Sequence, residues 1–144
     1  MLINNNLKEF RENMDMTQEE LGYVLGITKG TVANWENGND SIPLRQIIKL
    51  CNIYNASIDY ILGISRYNKN FSKIDNVDKN NLGNNIKSLR IKYNYSQSEF
   101  AELCSIAQST LSLYETGQRL INTLTLKIIC TKFNISADVL FGRK

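Results

Sequence analysis

The chain has 144 residues, 42% of them apolar and 22% charged, with a net charge of +3. That is enough apolar material for one medium core or two small ones, and it excludes a disordered tail or a fibre. There is no histidine, which removes Ser-His-Asp and Cys-His nucleophiles, histidine acid–base chemistry and the common histidine-containing zinc sites.

Ile3, Leu7, Phe10 and Met14 recur at helical spacing and predict a first helix. Thr17-Gln18-Glu19-Glu20 is a capping box, in which the hydroxyl caps the new helix and the glutamate three residues on reaches back. The helix it opens points Leu21, Val24 and Leu25 inward. Gly26 supplies a tight turn. Thr28 then caps a third helix that runs to about Asn37 and stops at Gly38, since glycine just past a helix end is a C-terminal stop. A fourth helix is predicted over 44–54, and Ser57 caps a short fifth that ends at Gly63. Residues 64–81 are rich in Asn, Lys and Ser and lack periodicity, so they are expected to be a linker between domains at 1–63 and 82–144. A flexible linker of that length spans roughly 23 Å.

The pattern then repeats. Shifted by 79 positions, residues 3–63 lie on 82–142 without a gap, and 16 of the 61 positions are identical. Leu82, Ile86, Leu89 and Tyr93 predict the first helix of the second copy, and Ser96-Gln97-Ser98-Glu99 is its capping box. Phe100, Leu103 and Cys104 point inward, Ser105 takes the place of Gly26, and the third helix runs from Gln108 to about Thr116 before Gly117. The fourth is predicted over 123–133, and Ser136 caps the last, which ends at Gly142. The expected fold is all-α, two tandem five-helix domains. Cys51, Cys104 and Cys130 make an odd set with no Cys-x-x-Cys pair and read as small buried hydrophobes of a reducing compartment. No stretch approaches the roughly 18 apolar residues of a membrane span and no leader is evident, so a cytoplasmic protein is expected.

Two helices joined by a tight turn suggest a helix-turn-helix. "MTQEELGYVLGITKGTVANWENG" and "YSQSEFAELCSIAQSTLSLYETG" resemble the Cro/phage-repressor (XRE-type) helix-turn-helix family, and the resemblance extends through "IIKLCNIYNASIDYILG" and "LKIICTKFNISADVLFG". It covers both copies and implies lambda-repressor-like domains. It implies that Arg11 pairs with Glu36 and Arg90 with Glu115, as structural ion pairs between the first and third helices. It also implies that Gln18 and Gln97, at the start of the second helix, meet DNA phosphate. The third helix would enter the major groove. Its exposed positions are Lys29, Gly30, Thr31 and Asn34 in copy one, and Gln108, Ser109, Thr110 and Ser112 in copy two. A glutamine there pairs bidentately with adenine, and a lysine donates to guanine.

Each copy departs from the pattern in places. Leu113 stands where copy one has Asn34, Ala107 where Thr28 caps, and Gly30 offers no side chain. Trp35 and Tyr114 fall on the inward face and are expected to pack rather than stack on bases. The apolar runs Tyr60-Ile61-Leu62 and Val139-Leu140-Phe141 must partly close each core, and any exposed remainder is a candidate dimer surface.

Charge separates the copies. Residues 1–63 hold five Lys/Arg and eight Asp/Glu, net −3, residues 64–81 are net +2, and residues 82–144 are net +4. Arg119 can meet a phosphate where copy one has Asp40, so copy two is better suited to DNA. The expectation is a transcriptional regulator, a repressor that occupies an operator. Its partner is double-stranded DNA, bound as a homodimer, with a protein partner open to domain 1. No cofactor, metal, small-molecule substrate, membrane contact or enzymatic activity is expected. The rival reading is a protein-interaction module, antitoxin-like or anti-repressor, on the same fold.

Overall fold

The computed structural model describes residues 4–144. Ten helices, and no strand, occur among them: α1 (Leu7–Asn13), α2 (Gln18–Leu25), α3 (Lys29–Glu36), α4 (Leu44–Tyr54), α5 (Ile58–Ile61), α6 (Lys79–Lys92), α7 (Gln97–Leu103), α8 (Gln108–Glu115), α9 (Thr123–Phe133) and α10 (Ala137–Leu140). The chain divides between Lys73 and Ile74 into two compact units. Ile3, the first residue of the predicted α1 stripe, lies outside the described residues.

In unit 1 the local signals act as read. Thr17 accepts from the Glu20 amide and the Glu20 carboxylate accepts from the Thr17 amide, closing the capping box. Gly26 takes φ 71°, which turns the chain sharply between α2 and α3. Thr28 and Ser57 cap α3 and α5. Leu7, Leu21, Val32, Ile47, Leu50, Ile58 and Ile61 are fully buried and form the core. Tyr60, Ile61 and Leu62 are all buried, so this apolar run leaves no exposed remainder in unit 1.

Unit 2 uses the same plan with a different filling. Phe100 and Phe133 stack at 5.6 Å, and Tyr93 and Tyr95 pack around Phe133. Ser105 accepts φ 57° where unit 1 has Gly26. Val139 remains 64% exposed on α10.

The segment expected to be a linker is structured at both ends. The Ser57 amide donates to the Asn68 side chain at 2.8 Å, which folds the first part back onto unit 1. Ile74 is buried, and α6 starts at Lys79, inside that segment, where Asp78 caps it by accepting from the Asn81 amide at 3.0 Å. Asp78 is the helix-start signal that an Asn- and Lys-rich composition obscured.

Trp35 and Tyr114 are buried on the inner faces of α3 and α8. The three cysteines are buried and form no disulfide, and burial pushes the Cys104 thiol up to about 11. Among the described residues no helix is long and apolar enough to cross a membrane. No group of three or more Cys, Asp or Glu among them is placed to hold a metal ion.

Candidate nucleic-acid interface

Each unit anchors its third helix with one buried carboxylate. In unit 1, Arg11 Nε donates to Glu36 Oε2 at 2.6 Å, Nη2 donates to Oε1 at 3.1 Å, and Nη1 donates to the Met16 carbonyl at 2.7 Å. In unit 2, Arg90 Nε donates to Glu115 Oε2 at 2.7 Å, Nη2 to Oε1 at 3.0 Å, and Nη1 to the Tyr95 carbonyl at 2.9 Å. The glutamates are almost fully enclosed, with side-chain exposures of 1% and 2%. These fork-to-fork pairs tie α1 to α3 and α6 to α8, and the Nη1 bond ties in the loop before the second helix. Both guanidinium groups are held above their ordinary pKa, chiefly by the hydrogen bond to the glutamate.

The glutamines that open α2 and α7 join the same networks. Gln18 Nε2 donates to Glu36 Oε1, and Gln97 Nε2 donates to Glu115 Oε1, both at 3.1 Å. One amide N–H of each is therefore held inside the protein, and the other N–H is left for an outside acceptor. The family resemblance implies only an outward role for these glutamines. Their identical spacing to the glutamate, 18 residues in both copies, is the signal for the inward one.

The exposed residues of the third helix fall as follows. Lys29, Gly30 and Asn34 are exposed on α3, and Thr31 is half-buried with its hydroxyl 3.0 Å from that of Thr28. Gln108 and Ser109 are exposed on α8, while Thr110, Ser112 and Leu113 are half-buried. A β-carbon at Gly30 would meet nothing closer than the Thr28 hydroxyl at 3.8 Å, so that position is open. Thr28 accepts from the Thr31 amide, whereas Ala107 leaves the start of α8 without a side-chain cap. After the third helix, Asp40 and Arg119 occupy the same place in their own units. Both are exposed, the Asp40 amide donates to the Asn34 carbonyl at 3.4 Å, and the Arg119 amide donates to the Leu113 carbonyl at 3.2 Å.

Three contacts around these networks were not read from the sequence. Asn5 Nδ2 donates to the Trp35 carbonyl at 2.9 Å, closing the end of α3. At the end of α8 the chain instead comes so close that a β-carbon on Gly83 would sit 2.4 Å from the Tyr114 carbonyl oxygen. Asp138 and Arg143 form a pair at 2.7 Å with side-chain exposures of 0% and 1%. Asp59 and Asp138 match between copies, but only the position of Arg143 after α10 gives the second of them this arginine.

Comparison with known proteins follows the same division. Residues 7–61 and 86–140 each match the helix-turn-helix family model. Antitoxin PezA of Streptococcus pneumoniae is 46% identical over 55 residues, covering 38% of this chain and 35% of PezA. The HTH-type transcriptional regulator ImmR of Bacillus subtilis is 33% identical over 69 residues, covering 48% of this chain and 54% of ImmR. The crystal structure of the restriction-modification controller protein C.AhdI from Aeromonas hydrophila aligns with 45% of this chain and 98% of its own, at 25% identity and a TM-score of 0.41. The chain thus spans about a third to a half of the length of these two curated relatives.

Proposed function

The chain belongs to the helix-turn-helix family in two tandem copies, and from that premise we propose that it is a sequence-specific, double-stranded-DNA-binding transcriptional regulator. The observation that carries this reading is the doubled anchor. Arg11–Glu36–Gln18 and Arg90–Glu115–Gln97 hold each third helix rigidly against its unit. Each leaves the first turn and a half of that helix open to a partner, and α8 presents polar Gln108 and Ser109 there, suited to base edges.

Gln108 and Ser109 are the base-reading residues of α8, supported by Thr110 and Ser112. Lys29, Thr31 and Asn34 stand at or near the matching positions of α3, beside the open position Gly30, and reach base edges only where unit 1 also meets the duplex. The second amide N–H of Gln18 and of Gln97, and the Arg119 guanidinium, serve the phosphates. Repression by occupying an operator needs nothing beyond this surface. A homodimer would place two chains on a symmetric site, with half-sites about 34 Å apart. The chemistry proposed is binding alone, with no catalytic step or cofactor.

Selection from random duplexes by the full chain tests this. An enriched inverted repeat supports a symmetric dimer with one unit per half-site, and two unlike half-sites support reading by both units. Failure to enrich any duplex at low salt overturns the proposal in favour of a protein partner, as the name of the antitoxin relative would suggest. Within the selected site, Gln108→Ala with Ser109→Ala weakens specific binding more than Lys29→Ala does.

A further inference from the structure

The two units differ in charge at matched positions beside the third helix. In unit 1, Glu19 follows Gln18, whose amide rests on Glu36, and Asp40 follows α3 with its amide bonded to Asn34. In unit 2 those places belong to Ser98, beside Gln97, and to Arg119, bonded to Leu113 in the same way. Asp40 and Arg119 therefore stand in corresponding positions by hydrogen bonding as well as by spacing.

Both acids of unit 1 are exposed and uncommitted. The capping box uses Glu20 and leaves Glu19 out, and among the described residues neither Glu19 nor Asp40 has an ion-pair partner. Glu19 lies in the first turn of α2, where a carboxylate favours the helix N-terminus, but Ser98 fills the same place in α7 without a charge, and no side-chain bond or ion pair accounts for Asp40. Residues 1–63 carry net −3 and 82–144 carry net +4, so the local difference reinforces the overall one. A duplex laid along α3 would bring its phosphates to residues that flank that helix, and a carboxylate there repels what an arginine attracts.

We propose that Glu19 and Asp40 keep unit 1 off duplex DNA, so that each chain grips a single half-site through unit 2. This rests on the DNA-binding reading above and deepens it. The third helix of unit 1 is well formed, so the block is electrostatic and reversible by substitution. Gly30, which has open space and no side chain, fits a helix that does not read bases.

The test uses the full chain, with Glu19→Ser combined with Asp40→Arg, and separately Arg119→Asp. Binding to a long duplex of arbitrary sequence is measured from 50 to 200 mM salt, alongside protection of the selected site. Each gained phosphate contact steepens the log–log salt dependence by about 0.9, a three- to four-fold larger loss of affinity over that range. The unit 1 double variant should gain about one such contact and protect a longer stretch of duplex. Arg119→Asp should lose about one. All three positions are exposed, and helical circular dichroism verifies folding.

An unchanged slope and footprint in the unit 1 variant overturns the proposal. So does selection of two unlike half-sites by the unmodified chain. Both results leave duplex binding intact and so spare the DNA-binding reading. An unmodified chain that binds no duplex at 50 mM salt overturns both.

Discussion

Glu115 Oε1 accepts from Arg90 Nη2 at 3.0 Å and from Gln97 Nε2 at 3.1 Å, so a single carboxylate oxygen joins α6, α7 and α8. Removing the carboxylate strands an arginine that is itself only 11% exposed. Glu115→Ala should destabilise unit 2 by about 3 kcal/mol, at the low end for a broken buried pair because the guanidinium keeps an edge to water. Urea unfolding of the full chain, followed by Trp35 fluorescence for unit 1 and by far-ultraviolet circular dichroism for both units, reads the difference. A loss below 1 kcal/mol would mean that water satisfies Arg90 as well as Glu115 does.

The start of α8 is the weaker of the two recognition-helix starts. Thr28 accepts from the Thr31 amide at 3.1 Å, and Ala107 accepts from nothing through its side chain. Ala107 already has φ −70° and ψ 147°, the extended backbone a capping serine adopts. Ala107→Ser should therefore stabilise unit 2 by about 1 kcal/mol, and Thr28→Ala should cost unit 1 a similar amount. Thermal unfolding of the two variants gives shifts of opposite sign.

Gly83 lets α6 pass against the end of α8. A β-carbon there would lie 2.4 Å from the Tyr114 oxygen and 2.7 Å from the Glu115 oxygen, both backbone atoms that cannot swing away. Gly83→Ala should cost roughly 2 kcal/mol or more as α6 is pushed outward. Gly30→Ala, with only a 3.8 Å contact, is the control. Its effect should be small and stabilising, because glycine within a helix is unfavourable relative to alanine. Equal losses from both variants would contradict the close approach.

Tyr60 donates its hydroxyl to Glu9 at 2.5 Å. Burial, then the hydrogen bond and the charge of Glu9, push its phenol up to about 12. In the unfolded chain the phenol ionises near 10. The protonated phenol favours the folded state, so this stabilisation is complete below about pH 10 and is lost as the pH rises toward about 12. Unit 1 should thus lose stability across that window, and Tyr60→Phe should remove that share of the dependence. Parallel alkaline curves for the parent and Tyr60→Phe would show that the phenol does not titrate with folding.

The extent to which the site was legible in the sequence follows from the range of each interaction. Arg11, Glu36, Arg90 and Glu115 stood out through identical spacing in two copies, and the structure has both pairs in contact. The inward bonds of Gln18 and Gln97 did not stand out, although their spacing was equally constant. A glutamine at a helix start satisfies a local rule on its own and so draws attention away from a partner 18 residues on. The exposed set Lys29, Gly30, Asn34, Gln108 and Ser109 was readable because helical periodicity puts them opposite Val32, Trp35, Leu111 and Tyr114.

The ten helices of the described residues and their order are legible along the chain, because capping hydroxyls, glycine and asparagine stops and a 3.6-residue apolar period act within a few residues. The duplication and the opposite charges of the two halves are legible there too, since both are properties of residue order alone. Packing alone brings Tyr60 to Glu9 across 51 residues, pairs Asp138 with Arg143, and lays Gly83 on the end of α8. Such contacts depend on where whole helices come to rest. That is set by the volume of many side chains packed together, which no local pattern along the chain records.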